Sequence, residues 1–309
     1  MRDQAETLRR LMQEREASTG TAAVVTFTSA LQGVGRTTFL ANFSSSLSRS
    51  GFRVLVVEAG KTSFGIEEFF CRSKEVNPDS NVDQKLEINE LFVQLENDLW
   101  ALPASNAVFS DSKIDEFSRS ALARTVENSR LQFDVVLIDA GAGRVENVVP
   151  YHLPAFQSVI IITPDKKSIA GSYALVKSLR SRARLNAVSV IVNHVTDGRQ
   201  AVKAFDSLKT FLSDTDIQLK YLGHWEFDRK ITESVIKRKI LIDLDTGAPS
   251  LRSFGLLTKR MKLNLLGLSD EAKKRVPKVS RFTDEPARLA PGNSAGFWRT
   301  LLGEVDDGS

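Results

Sequence analysis

A glycine-rich segment between a short apolar run and an amphipathic stretch constrains the fold of this chain more than any other feature. The apolar run covers residues 23–28 and is followed by Gly33 and Gly35. Two threonines, Thr37 and Thr38, then open the amphipathic stretch. Glycines let the backbone approach a ligand closely, and the N–H groups at the start of a helix attract anions. A strand, a glycine loop and a helix in this order predict a phosphate-binding loop.

The loop departs from the standard pattern, in which a glycine, four residues, a second glycine, a lysine and a hydroxyl residue follow one another. Ala30 stands at the first glycine, and Arg36 stands at the lysine. Thr37 keeps the hydroxyl that would hold Mg²⁺. A structural turn with an empty pocket is therefore the alternative interpretation of this segment.

Short β-branched runs recur along the chain and alternate with amphipathic stretches. The strand candidates are 23–28, 53–58, 99–103, 134–139, 158–163, 187–193 and 218–222. Several are continuous apolar runs, which is typical of strands that are covered on both faces. Alternation of such strands with helices predicts an α/β fold with a doubly wound, mainly parallel sheet.

Two polar residues end strand candidates. Asp139 closes the run 134–139, and in P-loop folds a carboxylate at this position binds Mg²⁺ or its water shell. Asn193 closes the run 187–193. The alternatives are that Asp139 caps its own loop and that Asn193 bonds its own turn.

Composition excludes several classes of protein. No apolar run approaches the roughly 20 residues that span a bilayer, and the N-terminus lacks the apolar core of a signal peptide. One cysteine and three separated histidines give no metal-ligand spacing, so we expect no metal site of protein origin. A net charge of +4 is too small to indicate nucleic acid. We expect a cytoplasmic protein without a nucleic-acid partner.

Three zones follow from the pattern of the 309 residues. Residues 1–19 are charged with apolar residues at helical spacing, and a Ser-Thr-Gly break follows them. Residues 20–268 carry the strand and helix alternation. Residues 269–309 contain scattered prolines and charges, and we expect a flexible tail that ends in a short amphipathic segment.

The glycine loop and the strand ends together resemble those of the MinD/ParA-type deviant Walker ATPases, which are P-loop NTPases. The family's loop reads Lys-Gly-Gly-Val-Gly-Lys-Thr-Thr and corresponds to residues 31–38. The resemblance implies a site for ATP or ADP with Mg²⁺, in which Thr37 and Asp139 face the metal. The implied nucleotide-binding residues are Gly33, Val34, Gly35, Arg36, Thr37, Thr38, Asp139 and Asn193.

Several positions depart from the family pattern. Leu31 stands for the signature lysine that reaches the partner's nucleotide, and Arg36 stands for the loop lysine. Glu58 and Gly60 stand for the family's Asp-x-Asp pair, whose second carboxylate orients the attacking water. Loss of one such group typically costs on the order of 10²–10⁵ in rate. We therefore predict a pseudo-ATPase without catalytic residues; a very slow ATP hydrolase with Arg36 in the lysine's role is the alternative.

The N-terminal helix is similar to a motif of the FlhG (FleN) branch of this family, the regulators of flagellar number. The matching residues are Asp3, Gln4, Ala5, Leu8 and Arg9. The resemblance implies that this helix binds an FlhF-like signal-recognition-type GTPase, with flagellar C-ring or regulator proteins as further partners. The alternatives are a helix packed on its own domain, and a polar adaptor for pili, secretion or cellulose synthesis.

A small apolar cluster lies near the C-terminus. Phe297, Trp298, Leu301 and Leu302 would share one face of a helix. MinD-like proteins often end in an amphipathic membrane helix, which this segment resembles loosely. It would give weak, peripheral contact with the inner face of the cell membrane, act as a hook for a protein partner, or fold back onto the domain. The sequence leaves this choice and the oligomeric state open.

Overall fold

The computed structural model of the chain describes residues 23–59, 64–70, 92–102, 133–142, 145–152, 155 and 157–265. The strands in these ranges are β1 (Ala23–Ser29), β2 (Val54–Glu58), β3 (Val93–Glu96), β4 (Leu99–Leu102), β5 (Val135–Ala142), β6 (Gln157–Ile162), β7 (Ala187–Val195) and β8 (Gln218–Glu226). The helices are α1 (Arg36–Ser48), α2 (Val145–His152), α3 (Lys166–Arg182), α4 (Gly198–Phe211), α5 (Arg229–Ile236), α6 (Leu241–Leu244) and α7 (Ser250–Leu265), and a 3₁₀ helix spans Ile66–Phe70. The zone boundaries at 19/20 and 268/269 lie outside the described residues.

All eight strands form one sheet in the order β3-β4-β2-β5-β1-β6-β7-β8. Each neighbouring pair is parallel except β3 and β4, which are antiparallel. The prediction of a doubly wound, mainly parallel α/β sheet is confirmed. The strand that leads into the glycine loop, β1, lies between β5 and β6, so the loop meets the carboxyl ends of both.

Both faces of the sheet are covered, which explains the continuous apolar runs. On β1, Val25 and Phe27 pack into the core under α1 and α7, whereas Val24 points into the core on the opposite face with Val148 of α2. Helices α3 and α4 cover the second face further along, over β6 and β7. Residues alternate between two cores, so apolar residues can follow one another along such a strand instead of alternating with exposed polar ones.

The structure lengthens two predicted strands, β5 and β8, and adds a third strand, β3. β5 continues past Asp139 to Ala142, with a register shift opposite β1. β8 continues to Glu226 instead of ending at residue 222. β3 was not predicted, although its alternating burial and the two-residue turn at 97–98 are hairpin signals that the sequence carries.

An aromatic cluster packs α1 against β1, β8 and α7. The ring of Phe39 lies 5.6–6.0 Å from the rings of Phe27, Phe43, Trp225 and Phe254. These residues come from β1, α1, β8 and α7 and are almost fully buried. The helix that follows the glycine loop is thereby fixed against three other elements.

Candidate functional site

The glycine loop has the backbone geometry of an anion cradle. Gly33 and Gly35 have φ angles of 76° and 81°, a conformation that side chains other than glycine rarely adopt. Gly35 is the N-cap of α1, and no side chain caps the helix there. The backbone N–H groups of the first turn of α1, at Arg36–Thr38, therefore have no side-chain cap and suit a phosphate group.

Asp139 lies beside this loop, on the adjacent strand β5, and its carboxylate accepts hydrogen bonds from three residues. Its carboxylate forms an ion pair with the Arg36 guanidinium and accepts a hydrogen bond from the Thr37 hydroxyl at 2.9 Å. The backbone N–H of Gly141 donates to the same carboxylate at 3.1 Å. Arg36 also donates to the Ser29 hydroxyl at 2.7 Å. The structure thus brings together three residues predicted for the nucleotide site, Arg36, Thr37 and Asp139.

The same arrangement fits a phosphate better than a divalent metal. Thr37 and Asp139, the two groups expected to face Mg²⁺, are bonded to each other. The Asp139 oxygen nearer to Arg36 takes two donors, and the charge of the carboxylate is neutralised by the guanidinium. Mg²⁺ prefers charged oxygen ligands, whereas the guanidinium neutralises this carboxylate and is bonded to one of its oxygens.

Asn193 is directed at the loop rather than at its own turn. Its side-chain amide donates to the backbone carbonyl of Val34 at 2.8 Å, and the residue is 4% exposed. A Cβ atom at Gly35 would lie 2.4 Å from the same amide nitrogen. Gly35 is therefore required both for its backbone conformation and for the close approach of Asn193.

Leu31 and Glu58 make packing and hydrogen-bond contacts within the protein. Leu31 is half-buried and packs against the core under α1. Glu58, at the end of β2, is 2% exposed and accepts the backbone N–H of Ile66 at 2.6 Å. Burial, together with a hydrogen bond to Glu67, raises the pKa of Glu58 well above its usual value. Gly60 lies outside the described residues.

A cavity of about 330 Å³ opens beside the loop. Residues 31–34 form one wall, and Thr163, Pro164 and Asp165 after β6 form the other, with His194 at the edge. His194 has a positive φ of 57°, which marks a constrained position at the end of β7. Neither His194 nor Ser29 was predicted as a site residue from the sequence. Their placement after a predicted strand is the signal that points to them.

The predicted interaction segments at the two ends, residues 3–9 and 297–302, lie outside the described residues. Among the residues that are described, no helix is long and apolar enough to cross a membrane. The same residues contain no group of three or more His, Cys, Asp or Glu side chains able to hold a metal ion.

Comparison with solved structures defines the class of protein. The chain superimposes on the MinC:MinD cell division protein complex of Aquifex aeolicus with a TM-score of 0.61, at 21% identity over 84% of this chain and 99% of that chain. It superimposes on MinD from Pyrococcus horikoshii, solved with Mg-ADP, with a TM-score of 0.57 at 15% identity, covering 84% of this chain and 100% of that one. This is the MinD/ParA-type P-loop fold.

Sequence relatives narrow the class. The antiactivator FleN of Pseudomonas aeruginosa is 20% identical over 71% of this chain and 79% of its own length. The flagellum site-determining protein YlxH of Helicobacter pylori is 24% identical over 82% of this chain and 88% of its own. No family model matches the chain. The chain therefore has the MinD/ParA-type fold, and its sequence is similar to proteins of the FlhG (FleN) branch.

Proposed function

We propose that this protein regulates the number or placement of flagella as a scaffold of the FlhG/MinD type that does not depend on ATP turnover. The flagellar assignment is supported by the similarity to FleN and YlxH. The pseudo-ATPase assignment is carried by one observation, the ion pair between Arg36 and Asp139 in the loop. Deletion of the gene in its host should change the flagellar count per cell, and the intact gene should restore it.

The loss of turnover has a physical reason. Hydrolysis needs groups that stabilise charge on the transferred phosphoryl group and that orient the attacking water. Leu31 has no side-chain donor, Glu58 is committed to the backbone N–H of Ile66, and the ion pair with Arg36 neutralises the Asp139 carboxylate that was expected to hold Mg²⁺. Phosphate release with Mg-ATP should therefore stay at the background level, with or without a partner. Turnover that Thr37→Ala abolishes and that Thr210→Ala, on the remote helix α4, leaves intact would support the slow-hydrolase alternative.

The loop remains a nucleotide site in this proposal. Gly33, Val34, Gly35, Arg36, Thr37 and Thr38 supply the backbone cradle, and the MinD of Pyrococcus horikoshii with the same fold was solved with Mg-ADP. The nucleotide would then act as a bound ligand that stabilises the loop and would not be hydrolysed. Titration calorimetry of the full chain with ADP tests the occupancy of this site.

The partner is proposed to be an FlhF-like signal-recognition-type GTPase bound by residues 3–9. Ala5 and Leu8 would lie on one stripe of a helix, with Arg9 at its margin. Leu8→Ala and Arg9→Ala should each abolish capture of such a GTPase in a pull-down. Thr7→Ala, on the opposite face of the same helix, is the matched control and should bind as the native chain does. Capture that survives both changes would exclude this helix as the docking element.

A further inference from the structure

The Arg36 side chain is held beside the glycine loop by hydrogen bonds. Its Nε–H group donates to Asp139, and an Nη1–H group donates to the Ser29 hydroxyl at 2.7 Å. Ser29 in turn donates to the carbonyl of Leu31 at 2.7 Å. The Asp139 side chain is 1% exposed and the Arg36 side chain 10%. A buried, hydrogen-bonded ion pair resists separation because either charge alone would be left uncompensated.

Asp139 is also the carboxylate that a divalent cation in a P-loop would approach. A cation that binds this carboxylate would have to displace the guanidinium or lie directly beside it. In either case the positive charge of Arg36 stays next to the incoming cation. The pair therefore supplies, with the chain's own atoms, a positive charge beside Asp139.

Donors for a phosphate remain in the same loop. The first turn of α1 has no side-chain cap, and the backbone at Gly33 and Gly35 is held in the left-handed conformation. A guanidinium carries five N–H donors. The described part of the chain uses two of those of Arg36, which leaves three for phosphate oxygens. Arginine is well suited to bridge a carboxylate and a phosphate because its donors form a planar fork.

We propose that this loop binds the phosphate groups of a nucleoside diphosphate or triphosphate without a divalent cation. Arg36 supplies the positive charge at Asp139 that a metal would otherwise bring. The inference rests on the proposed nucleotide site at the loop and specifies how the charge of that nucleotide is balanced.

Calorimetric titration of the full chain with ADP, in 2 mM Mg²⁺ and in EDTA, tests the inference directly. The expected dissociation constants agree within about threefold in the two buffers. A site that needs the metal to neutralise phosphate would instead lose tenfold or more of its affinity in EDTA. That result, or binding seen only with Mg²⁺, would overturn the inference.

The variant Asp139→Asn should change the affinity for ADP in opposite directions, depending on whether Arg36 or a metal balances the phosphate charge. If Arg36 is the counter-charge, removal of the carboxylate frees its charge for phosphate, and ADP should bind at least threefold more tightly in EDTA. If Asp139 holds a metal, the same change weakens binding in Mg²⁺. The matched control is Asp134→Asn, a carboxylate that adjoins the amino end of the same strand, pairs with Arg53 and lies outside the site.

A folding defect is separated from a binding effect by the thermal melt of each variant, measured in the same two buffers. Weaker binding by a well-folded Asp139→Asn protein contradicts the inference. The absence of ADP binding up to 1 mM in both buffers also overturns it. That result would leave the proposed scaffold role standing, since the role is tested separately by capture of the GTPase through residues 3–9.

Discussion

The Glu58 carboxyl group accepts the backbone N–H of Ile66 at 2.6 Å, and this bond ties the 3₁₀ helix to the end of β2. Glu58 also pairs in register with Asp139 on β5. A buried carboxyl group at the end of β2 is thus used to anchor a neighbouring segment. A buried acid in this role has measurable consequences for stability.

We predict that Glu58→Gln makes the protein less sensitive to alkaline pH. Burial and the hydrogen bond to Glu67 raise the pKa of Glu58, so its contribution to stability is complete below the unfolded value of 4.5 and is lost as pH rises through the raised pKa. Glutamine keeps the acceptor for Ile66 but does not ionise. Urea unfolding at several pH values from 4.5 to 9 should show a falling free energy in the native chain and a flatter profile in the variant.

The control for this prediction is Glu58→Ala, which leaves the N–H of Ile66 buried without its acceptor. It should cost about 1–3 kcal/mol at neutral pH. Equal alkaline slopes in the native chain and in Glu58→Gln would contradict the assignment.

We predict that His152 makes the protein sensitive to acid. The residue is fully buried, its Nδ1 atom lies 2.9 Å from the Ser158 hydroxyl, and burial lowers its pKa from 6.5 to about 4. A lowered pKa means that the stabilisation is present above pH 6.5 and is lost as pH falls towards 4. The full loss is about 3 kcal/mol. Chemical denaturation between pH 7.5 and 4 measures it.

His152→Asn should reduce the loss of stability at acid pH, because asparagine can form a hydrogen bond with Ser158 but does not titrate. Thr210→Ala on α4, an exposed residue without a titratable group, serves as the control and should leave this loss unchanged. An unchanged acid slope in His152→Asn would assign the acid sensitivity to other groups.

We predict that the two loop glycines differ in how they tolerate alanine. At Gly33 a Cβ atom would meet open space, so Gly33→Ala should cost about 1–2 kcal/mol from backbone strain alone. At Gly35 a Cβ atom would lie 2.4 Å from the Asn193 amide, so Gly35→Ala should cost more. Thermal melts of both variants give the comparison.

The double variant Gly35→Ala/Asn193→Ala tests the cause of that difference. Removal of the Asn193 side chain relieves the clash, so the two changes together should cost less than the sum of the single changes. Simple additivity would show that Asn193 does not hold the loop.

We predict that Phe39→Ala destabilises the protein by about 3–5 kcal/mol. Phe39 is 1% exposed and contacts four aromatic rings from β1, α1, β8 and α7, and its removal leaves a large cavity. The control is Leu256→Ala on α7, where the side chain is 68% exposed and the expected change is within 0.5 kcal/mol. Equilibrium unfolding in urea gives both values, and similar losses for the two variants would contradict the role of the cluster.

The strand assignments show how far local patterns reach. The runs at 23–28, 187–193 and 134–139 were recognised because strands buried on both faces are mostly apolar without alternation. β3 was overlooked because four residues with alternating burial form a weak signal. The extension of β8 to Glu226 depends on its pairing with β7, which no local pattern encodes.

The sequence by itself determined the order of strands and helices, the place of the glycine loop and the residue types at its changed positions. These are local properties, since the burial pattern and the backbone freedom of a segment depend on the residue types within it. Only the tertiary structure decided which groups face one another: Arg36 with Asp139, Asn193 with Val34, and Glu58 with Ile66. The first two pairs join residues more than 100 positions apart, and the register of β1, β5 and β7 sets their contacts. Side-chain partners at a strand end depend on that register, and for this reason the chemistry of the loop could be read only from the folded chain.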